Sequence, residues 1–539
     1  MPQRPNILYL MCDQFRFDCI AAQGNPYVAT PNLDRLVRRG ISFDNAYSTC
    51  PVCAPARLTL RTGREPYTTL CYDNGAPRPM PGMSEDLHER CGDYLAREMT
   101  RRGYRTFGIG KFHSTQGTLE DMGYDEQMNT EEMWSNPEER ARDAYAGFMM
   151  REHPEYNHIQ QLHGERTNMY YFPQLSPFPP RLTVEGFVAD RVVEKLDSFR
   201  DERPYFCFVS FVGPHPPCAP PVPYNLLYDP DQMPNPAPSD PEIDAMDEQI
   251  PWMNHVIWAD EINNFQARNL RSRYLAEITY IDDCIGKILD AVEKRPDADN
   301  TLIVFCADHG DHLGDHHAWQ KESYFEQSAR IPFLLSWPAK YPGGTTCHDL
   351  VCLTDLFGVA TAASGEEELR DGASVLGPLN GTARPREALF ACYGRPGTRL
   401  FKAMVRKGDW KYIFLYNGGR EQLFNLKDDP GETRLENQAQ PEILQEMRDL
   451  LADWMHRPGL QAGLDENGKP ICHEFKARPK FRIRQFDASS GVKEFTHLVG
   501  EKTAFDAKVM FGDFLWNRLT NAGQNFNRFK NCAVVYGVI

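Results

Sequence analysis

No stretch of this chain approaches the roughly 18 consecutive apolar residues that a membrane-spanning helix requires. The apolar run nearest the N-terminus, Ile7 to Cys12, stops at Asp13. That is too soon for the core of a secretory leader, and no small-residue cleavage site follows. Basic charge is in short supply: 59 Lys and Arg face 75 Asp and Glu, for a net charge of −16. This balance excludes a general binder of nucleic acid or anionic membrane, so any anion site must be a local cationic pocket in an acidic body. Regular cysteine spacing is missing too. The 15 cysteines are odd in number and scattered, the usage of reduced thiols rather than of a disulfide framework. Internal repeats and low-complexity segments are lacking. The expectation is a cytoplasmic protein with no membrane or nucleic-acid partner.

What the chain does have is apolar mass for a large core: 41% of its 539 residues are hydrophobic and 12% aromatic. Short β-branched or aromatic runs alternate with longer helical patterns, which predicts an α/β fold with a mostly parallel sheet covered by helices on both faces. "NILYLMC" reads as a buried first strand. "TPNLDRLVRRG" reads as a helix with Thr30 as N-cap, Pro31 in its first turn and Gly40 past its end. "EDLHERCGDYLAREMTRRG" reads as a helix feeding the strand "YRTFGIG", and "EGFVADRVVEKLDSF" as one feeding "PYFCFVSFV". A long helical pattern from Asn264 to Lys294 precedes the strand "TLIVFCA", with "IPFLLSW" soon after. The proline-rich stretch from Pro214 to Pro251 reads as a long surface excursion at the mouth of a site. Near residue 370 the texture changes. "ALFACYG", "FKAMVRKGDWKYIFLY" and "REQLFNL" are closely spaced strands of a small antiparallel sheet, followed by a helix from about Pro441 to His456. The expected division is a main α/β domain over 1–375, a sheet-and-helix subdomain over 376–459, and a basic, aromatic tail over 460–539.

Ligands of open α/β sheets bind at the carboxyl ends of the strands. The residues just past each expected strand form a coherent chemical set. The first strand delivers Asp13 and Gln14, "YRTFGIG" delivers Lys111 and His113, and "PYFCFVSFVG" delivers His215. "TLIVFCA" delivers Asp308 and His309, followed by "GDHLGDHHAWQK" with Lys321. Oxygen ligands with one imidazole suit a hard or borderline divalent cation such as calcium, manganese or magnesium. Basic groups beside that cation suit a tetrahedral oxyanion. Singly, each signal is weak. Cys50 and Cys53 stand as Cys-x-x-Cys, but zinc would need a second pair, and a lone strand-end aspartate is more often a cap. His316 and His317 read as structural. The joint order carries the inference.

That order, with Cys53, Pro55 and Arg57 at Cys-x-Pro-x-Arg spacing, resembles the type I sulfatases. These belong to the alkaline-phosphatase-like hydrolases, together with phosphonate monoester hydrolases and choline sulfatases. The matching segments are "NILYLMCDQ", "CAPARLTLRTGR", "GIGKFH", "ADHGDHLGDHHAWQKESYFEQSARIPFLLSWP", "GDWKYI" and "LFNLKDDPGET", spanning about residues 5 to 456. The resemblance implies an alkaline-phosphatase-like α/β/α sandwich with a smaller C-terminal antiparallel subdomain. It implies that a formylglycine-generating enzyme oxidises Cys53, not Cys50, to formylglycine, whose hydrate has two hydroxyls. One attacks sulfur and expels the alcohol, and the other expels sulfate by reforming the aldehyde, an exit that serine lacks.

By the same resemblance, Asp13, Gln14, Asp308 and His309 hold one divalent cation, Ca2+ or Mn2+, together with residue 53. Arg57 and Lys111 neutralise and position the nucleophile, and His113 is the base for the elimination. His215 and Lys321 grip the substrate oxygens, with Asn74 a further substrate contact. Two positions depart from the common pattern: many sulfatases have aspartate at the place of Gln14, and serine at that of Ala56. The expected activity is hydrolysis of a small or sugar sulfate monoester. The alternatives are a phosphonate monoester or phosphodiester hydrolase with the same site, and an inactive binding or assembly subunit, against which the intact residue set argues. The tail holds Phe475, Phe481, Phe486, Phe495, Phe511, Phe514, Trp516 and Phe526. So many aromatics predict a segment that covers the site or builds a homo-oligomer.

Overall fold

Ile7 to Cys12 are apolar on both faces of a strand, the pattern of a β-element buried from above and below. In a computed structural model, which describes residues 4–79, 82–115, 120–131, 141–156, 171, 176 and 178–478, this segment is β1 (Asn6–Cys12), fully buried at the centre of an eight-stranded sheet. The others are β2 (Ile41–Tyr47), β3 (Arg105–Gly110), β4 (Glu126–Asn129), β5 (Tyr205–Phe211), β6 (Thr301–Ala307), β7 (Phe333–Ser336) and β8 (Thr345–Cys352). Their order is β4-β3-β5-β1-β6-β7-β2-β8. The pairings are parallel except those of β7, which runs antiparallel to β6 and β2. This is the expected alkaline-phosphatase-like α/β architecture.

Two helix sets flank the sheet. Helix Asn264–Glu293 packs on Val184–Ser198 and on Pro31–Arg39, while Cys53–Thr62, Leu95–Arg101 and Leu356–Ala363 pack together. Thr30 precedes Pro31–Arg39 as expected, but its hydroxyl donates to Asp34 and accepts from Ala21 N instead of capping the first turn. The segment read as one helix over "EDLHERCGDYLAREMTRRG" is two, Leu87–Cys91 and Leu95–Arg101. Gly92 closes the first at φ 79°, in the left-handed region where a helix cannot continue. Among the described residues, no helix is long and apolar enough to cross a membrane.

A second sheet runs β12-β11-β10-β9, all antiparallel: β9 (Ala388–Tyr393), β10 (Lys402–Lys407), β11 (Trp410–Leu415) and β12 (Arg420–Asn425). Period-two alternation decides its packing. Met404, Ile413 and Leu415 join a cluster with Tyr47 and Phe325 of the main body. Their neighbours Val405, Tyr412 and Phe414 meet Leu451 and Trp454 of helix Pro441–Met455 on the other face. Lys411, fully buried, crosses to the body and pairs with Glu326 at 2.8 Å and Glu432 at 2.5 Å.

The proline-rich segment 214–251 is less of a surface feature than expected. Cys218, Met233, Ile243 and Ile250 are buried, because the apolar residues between its prolines find cover and two helices, Pro241–Asp244 and Gln249–Val256, fold within it. Its Asp247 pairs with Lys402 of β10, and Gln249 bonds Glu322, next to Lys321. Of the tail, 460–478 is described and the remainder, with seven of the eight named aromatics, lies outside the described residues. Phe475 is exposed.

Candidate active site

Strand register brings the site together. Cys12 of β1 lies opposite Ala307 of β6 in a parallel pair, so the next residues, Asp13 and Asp308, emerge side by side at the carboxyl edge. On the other side of β1, Gly110 of β3 pairs with Ser210 of β5. Gly110 has φ 118°, and a Cβ there would lie 1.9 Å from Ser210 O. Only glycine permits this close turn, which sends Lys111 across the strand ends. Cys53 opens helix Cys53–Thr62, whose N-cap Val52 offers no side-chain cap. The helix start therefore faces the strand ends with its positive dipole end, which favours negative charge at residue 53.

Ligand atoms of Asp13, Cys53, Asp308 and His309 all lie within 4.8 Å of one another, and all four residues are buried. Cys53 Sγ is 3.1 Å from His309 Nε2 and 3.7 Å from Asp13 Oδ1. Arg57 ties the two carboxylates from behind. Its Nε donates to Asp308 Oδ2 at 2.8 Å and one NH2 to Asp13 Oδ2 at 3.1 Å, while the other NH2 donates to Lys111 O and Ser210 Oγ, each at 2.8 Å. Lys111 Nζ donates to the same Asp13 Oδ2 at 2.6 Å. The positive groups thus occupy the Oδ2 atoms, and Asp13 Oδ1 and His309 Nε2 turn toward Cys53. Two carboxylates, an imidazole and residue 53, buried and converging with the carboxylates' outer oxygens already satisfied, fit a divalent cation.

The charges set the protonation states. Burial pushes Asp13 up, but Lys111, His215, Arg57 and His309 outweigh it and hold the carboxyl well below its usual value. Burial, and then the charge of Asp13, push Asp308 to about 6. Burial lowers His309, but Asp308 and Cys53 raise it overall. Burial and Asp13 push the Cys53 thiol up, yet Lys321, His309 and Lys111 bring it well below the ordinary cysteine value. Cys50, three residues away, is raised by burial and points to Tyr72 O. The two cysteines have opposite environments.

The other expected site residues are placed as follows. Gln14 N donates to Asp308 Oδ1 at 3.0 Å and Gln14 Oε1 accepts from Lys321 Nζ at 2.6 Å. His215 is buried, with Nδ1 2.7 Å from Pro216 O. His113 is half-buried at φ 49°, its backbone N bound by Glu131 at 3.1 Å, and Nδ1 has no hydrogen-bond partner among the described residues. Asn74 Oδ1 accepts from Ala54 N at 3.0 Å, which supplies the cap that Val52 cannot. His316 and His317 both pair with Asp244 at 2.8 Å, and His316 stacks on Phe325 at 3.8 Å, so both serve the structure. Sequence reading missed Ser210, Tyr171, Gln320 and Asp311. Ser210 lies inside a strand, and Asp311 was one of several acids in a polar loop. Nothing local marks their contacts with Arg57 and Gln14.

The sulfatase family model matches residues 5–361. A choline-sulfatase of Rhizobium meliloti is 29% identical over 456 residues, covering 80% of this chain and 81% of that one. An arylsulfatase of Clostridium perfringens is 28% identical over 456 residues, 80% of this chain and 89% of that one. The solved phosphonate monoester hydrolase of Agrobacterium radiobacter has the same fold, with a TM-score of 0.69 at 23% identity over 88% of this chain and 100% of that one. With the family match spanning well over half of its length, and with two carboxylates, an imidazole and the Cys-x-Pro-x-Arg cysteine converging at the strand ends, the chain belongs to the sulfatase family.

Proposed function

We propose that the protein is a sulfuric ester hydrolase that cleaves sulfate monoesters, with residue 53 in its formylglycine form and one divalent cation, Ca2+ or Mn2+, held by Asp13, Gln14, Asp308 and His309. The observation that carries this reading is the convergence of Cys53 Sγ with Asp13, Asp308 and His309 within 4.8 Å, beside Arg57, Lys111 and Lys321. When present, the hydrated aldehyde supplies the nucleophilic oxygen and the cation supplies positive charge at the ester. The chain's own groups do the rest. Arg57 locks the two carboxylates in register and with Lys111 neutralises and positions the nucleophile, while Lys321 neutralises charge that builds on the sulfuryl oxygens. His215, its Nδ1 2.7 Å from Pro216 O, is assigned to the substrate oxygens. With Lys321 it stabilises the departing alcohol, and His113 accepts the proton in the elimination of sulfate.

Neutral Gln14 favours a second reading, a phosphonate monoester or phosphodiester hydrolase, because one less carboxylate leaves the pocket more accommodating to phosphorus esters. All these substrates carry one negative charge at the reacting centre, whereas a phosphate monoester carries nearly two at neutral pH. The fourteen described cysteines are all unpaired, which supports a reducing, cytoplasmic setting. The tail beyond 460 is assigned to assembly or site covering, and light scattering of the full-length protein tests it: an oligomer is expected and a monomer refutes the assembly role.

The reading is tested by co-expression with a formylglycine-generating enzyme. Peptide mass spectrometry should find the aldehyde at residue 53 and none at Cys50, and 4-nitrophenyl sulfate turnover should rise with the converted fraction. Full turnover by protein with unmodified Cys53, or by Cys53→Ala, overturns it.

A further inference from the structure

Gln14 leaves β1 at φ 65° and has no exposed surface. Its amide is gripped at both ends. Oε1 accepts from Lys321 Nζ at 2.6 Å, while Nε2 donates to Asp311 Oδ2 at 2.5 Å and to Gln320 Oε1 at 3.3 Å. An ammonium only donates, and the oxygens of Asp311 and Gln320 only accept, so the amide fits one way round. Asp311 is itself fixed: Leu313 N donates to Oδ1 at 2.8 Å and Tyr171 OH donates to Oδ2. Tyr171 is held in turn by Gln320 N at 3.0 Å. Asp311 is fully buried and Tyr171 nearly so. Gln14, Leu313 and Gln320, at φ 65°, 49° and 76°, all hold the left-handed conformation that non-glycine residues rarely adopt. Such strain persists where the surroundings over-determine it.

We propose that Asp311, braced by Tyr171, is a positioning residue that fixes the Gln14 amide with its carbonyl oxygen, and not its NH2, toward Lys321 and the cation. This rests on the reading of Gln14 as a cation ligand. An amide free to turn would present a hydrogen-bond donor to a positive ion. The pairing also explains why position 14 holds an amide in this chain. A carboxylate there would meet Asp311 as a like charge across a buried contact, where such repulsion is poorly screened. Gln14 and Asp311 therefore act as a matched pair, one neutral and one negative, and the identity of each constrains the other.

The test is a double-mutant cycle on the full-length protein, reading the affinities for Ca2+ and Mn2+ by calorimetry, with thermal unfolding as a control for folding. Asp311→Asn can offer its own NH2 to Gln14 and should lower cation affinity at least tenfold. Gln14→Glu should lower it comparably, through repulsion from Asp311. The double variant Gln14→Glu with Asp311→Asn restores a carboxylate–amide pair with the polarity exchanged, and its affinity should return to within threefold of wild type. A merely structural role predicts additive losses without rescue. If Asp311→Asn does not fold, Tyr171→Phe removes the bracing hydroxyl, which also accepts from Gln320 N and Gln14 Nε2; it should lower the unfolding midpoint modestly and lower affinity about threefold in protein that thermal unfolding shows to be folded. An additive double variant overturns the proposal, as does Asp311→Asn or Tyr171→Phe with wild-type affinity. A wild-type protein that binds no cation overturns both this proposal and the functional reading beneath it, whereas normal binding without coupling overturns this proposal alone.

Discussion

Arg57 is the side chain whose removal should disturb the site most. Its guanidinium is 2% exposed and joins two fully buried carboxylates, the Lys111 carbonyl and the Ser210 hydroxyl. Alanine at this position leaves Asp13 and Asp308 side by side, with Lys111 still paired to Asp13. Removing one partner from a buried ion pair costs about 3–5 kcal/mol, and the lost buried hydrogen bonds to the Lys111 carbonyl and the Ser210 hydroxyl add about 1 kcal/mol each. Part of this loss is recovered by protonation. Asp308, already at about 6 through burial and the charge of Asp13, moves higher when the Arg57 charge that lowers it is gone. A protonated Asp308 is a poor cation ligand, so cation affinity should fall and become steeper in pH above about 6. Arg57→Lys keeps the charge but cannot fork across both carboxylates and the carbonyl, and should cost about 1–2 kcal/mol. Urea unfolding of the metal-free proteins measures the first effect, and calorimetric cation titrations at acid and alkaline pH measure the second. If Arg57→Ala unfolds within about 1 kcal/mol of wild type and keeps its cation affinity at both pH values, the reasoning fails.

Other substitutions probe separate parts of the account. Asp308→Asn should lower cation content and turnover together, and metal analysis giving full occupancy would remove this loop from the cation site. Glu65, buried and accepting from Thr354 Oγ1 at 2.7 Å, is pushed by burial from 4.5 to about 7. Since the folded value lies above the unfolded one, its contribution is intact below about 4.5 and lost as pH rises through about 7. Glu65→Gln cannot ionise, so its stability advantage over wild type should grow between pH 5 and 8, by up to about 3 kcal/mol. A constant gap in urea unfolding contradicts this. Lys411→Met strands Glu326 and Glu432 at the contact between the second sheet and the body. It should cost about 3–5 kcal/mol, measured by urea unfolding, and a neutral result would show that apolar packing alone holds the sheet.

Strands with two buried faces were legible because nothing polar interrupts them, as in "NILYLMC" and "TLIVFCA". β2, β4 and β8 were not. β2 contains Asp44 and Asn45 and a register shift against β8 between Phe43 and Asn45, so its apolar alternation breaks. β8 is a partly exposed edge strand that carries Thr345, Thr346, His348 and Asp349, and β4 has only four residues. The site was legible to the extent that its groups sit one or two residues past a strand, where chain order alone implies proximity. Asp13, Asp308 and Lys111 follow that rule. That Asn74 Oδ1 accepts from Ala54 N was not legible, nor that Asp311 and Tyr171 reach Gln14 from far along the chain. Contacts of this kind depend on how loops fold over the sheet, and no local pattern encodes them.

We propose above that the pocket is matched to a sulfate monoester. The most direct test compares kcat/KM for an aryl sulfate and an aryl phosphonate with the same leaving group, on protein whose conversion at residue 53 has been measured. The sulfate should be preferred, with the phosphonate turned over as a secondary substrate. A phosphonate preference of more than about tenfold, roughly 1.4 kcal/mol in transition-state binding, would contradict it and assign the site to phosphonate hydrolysis.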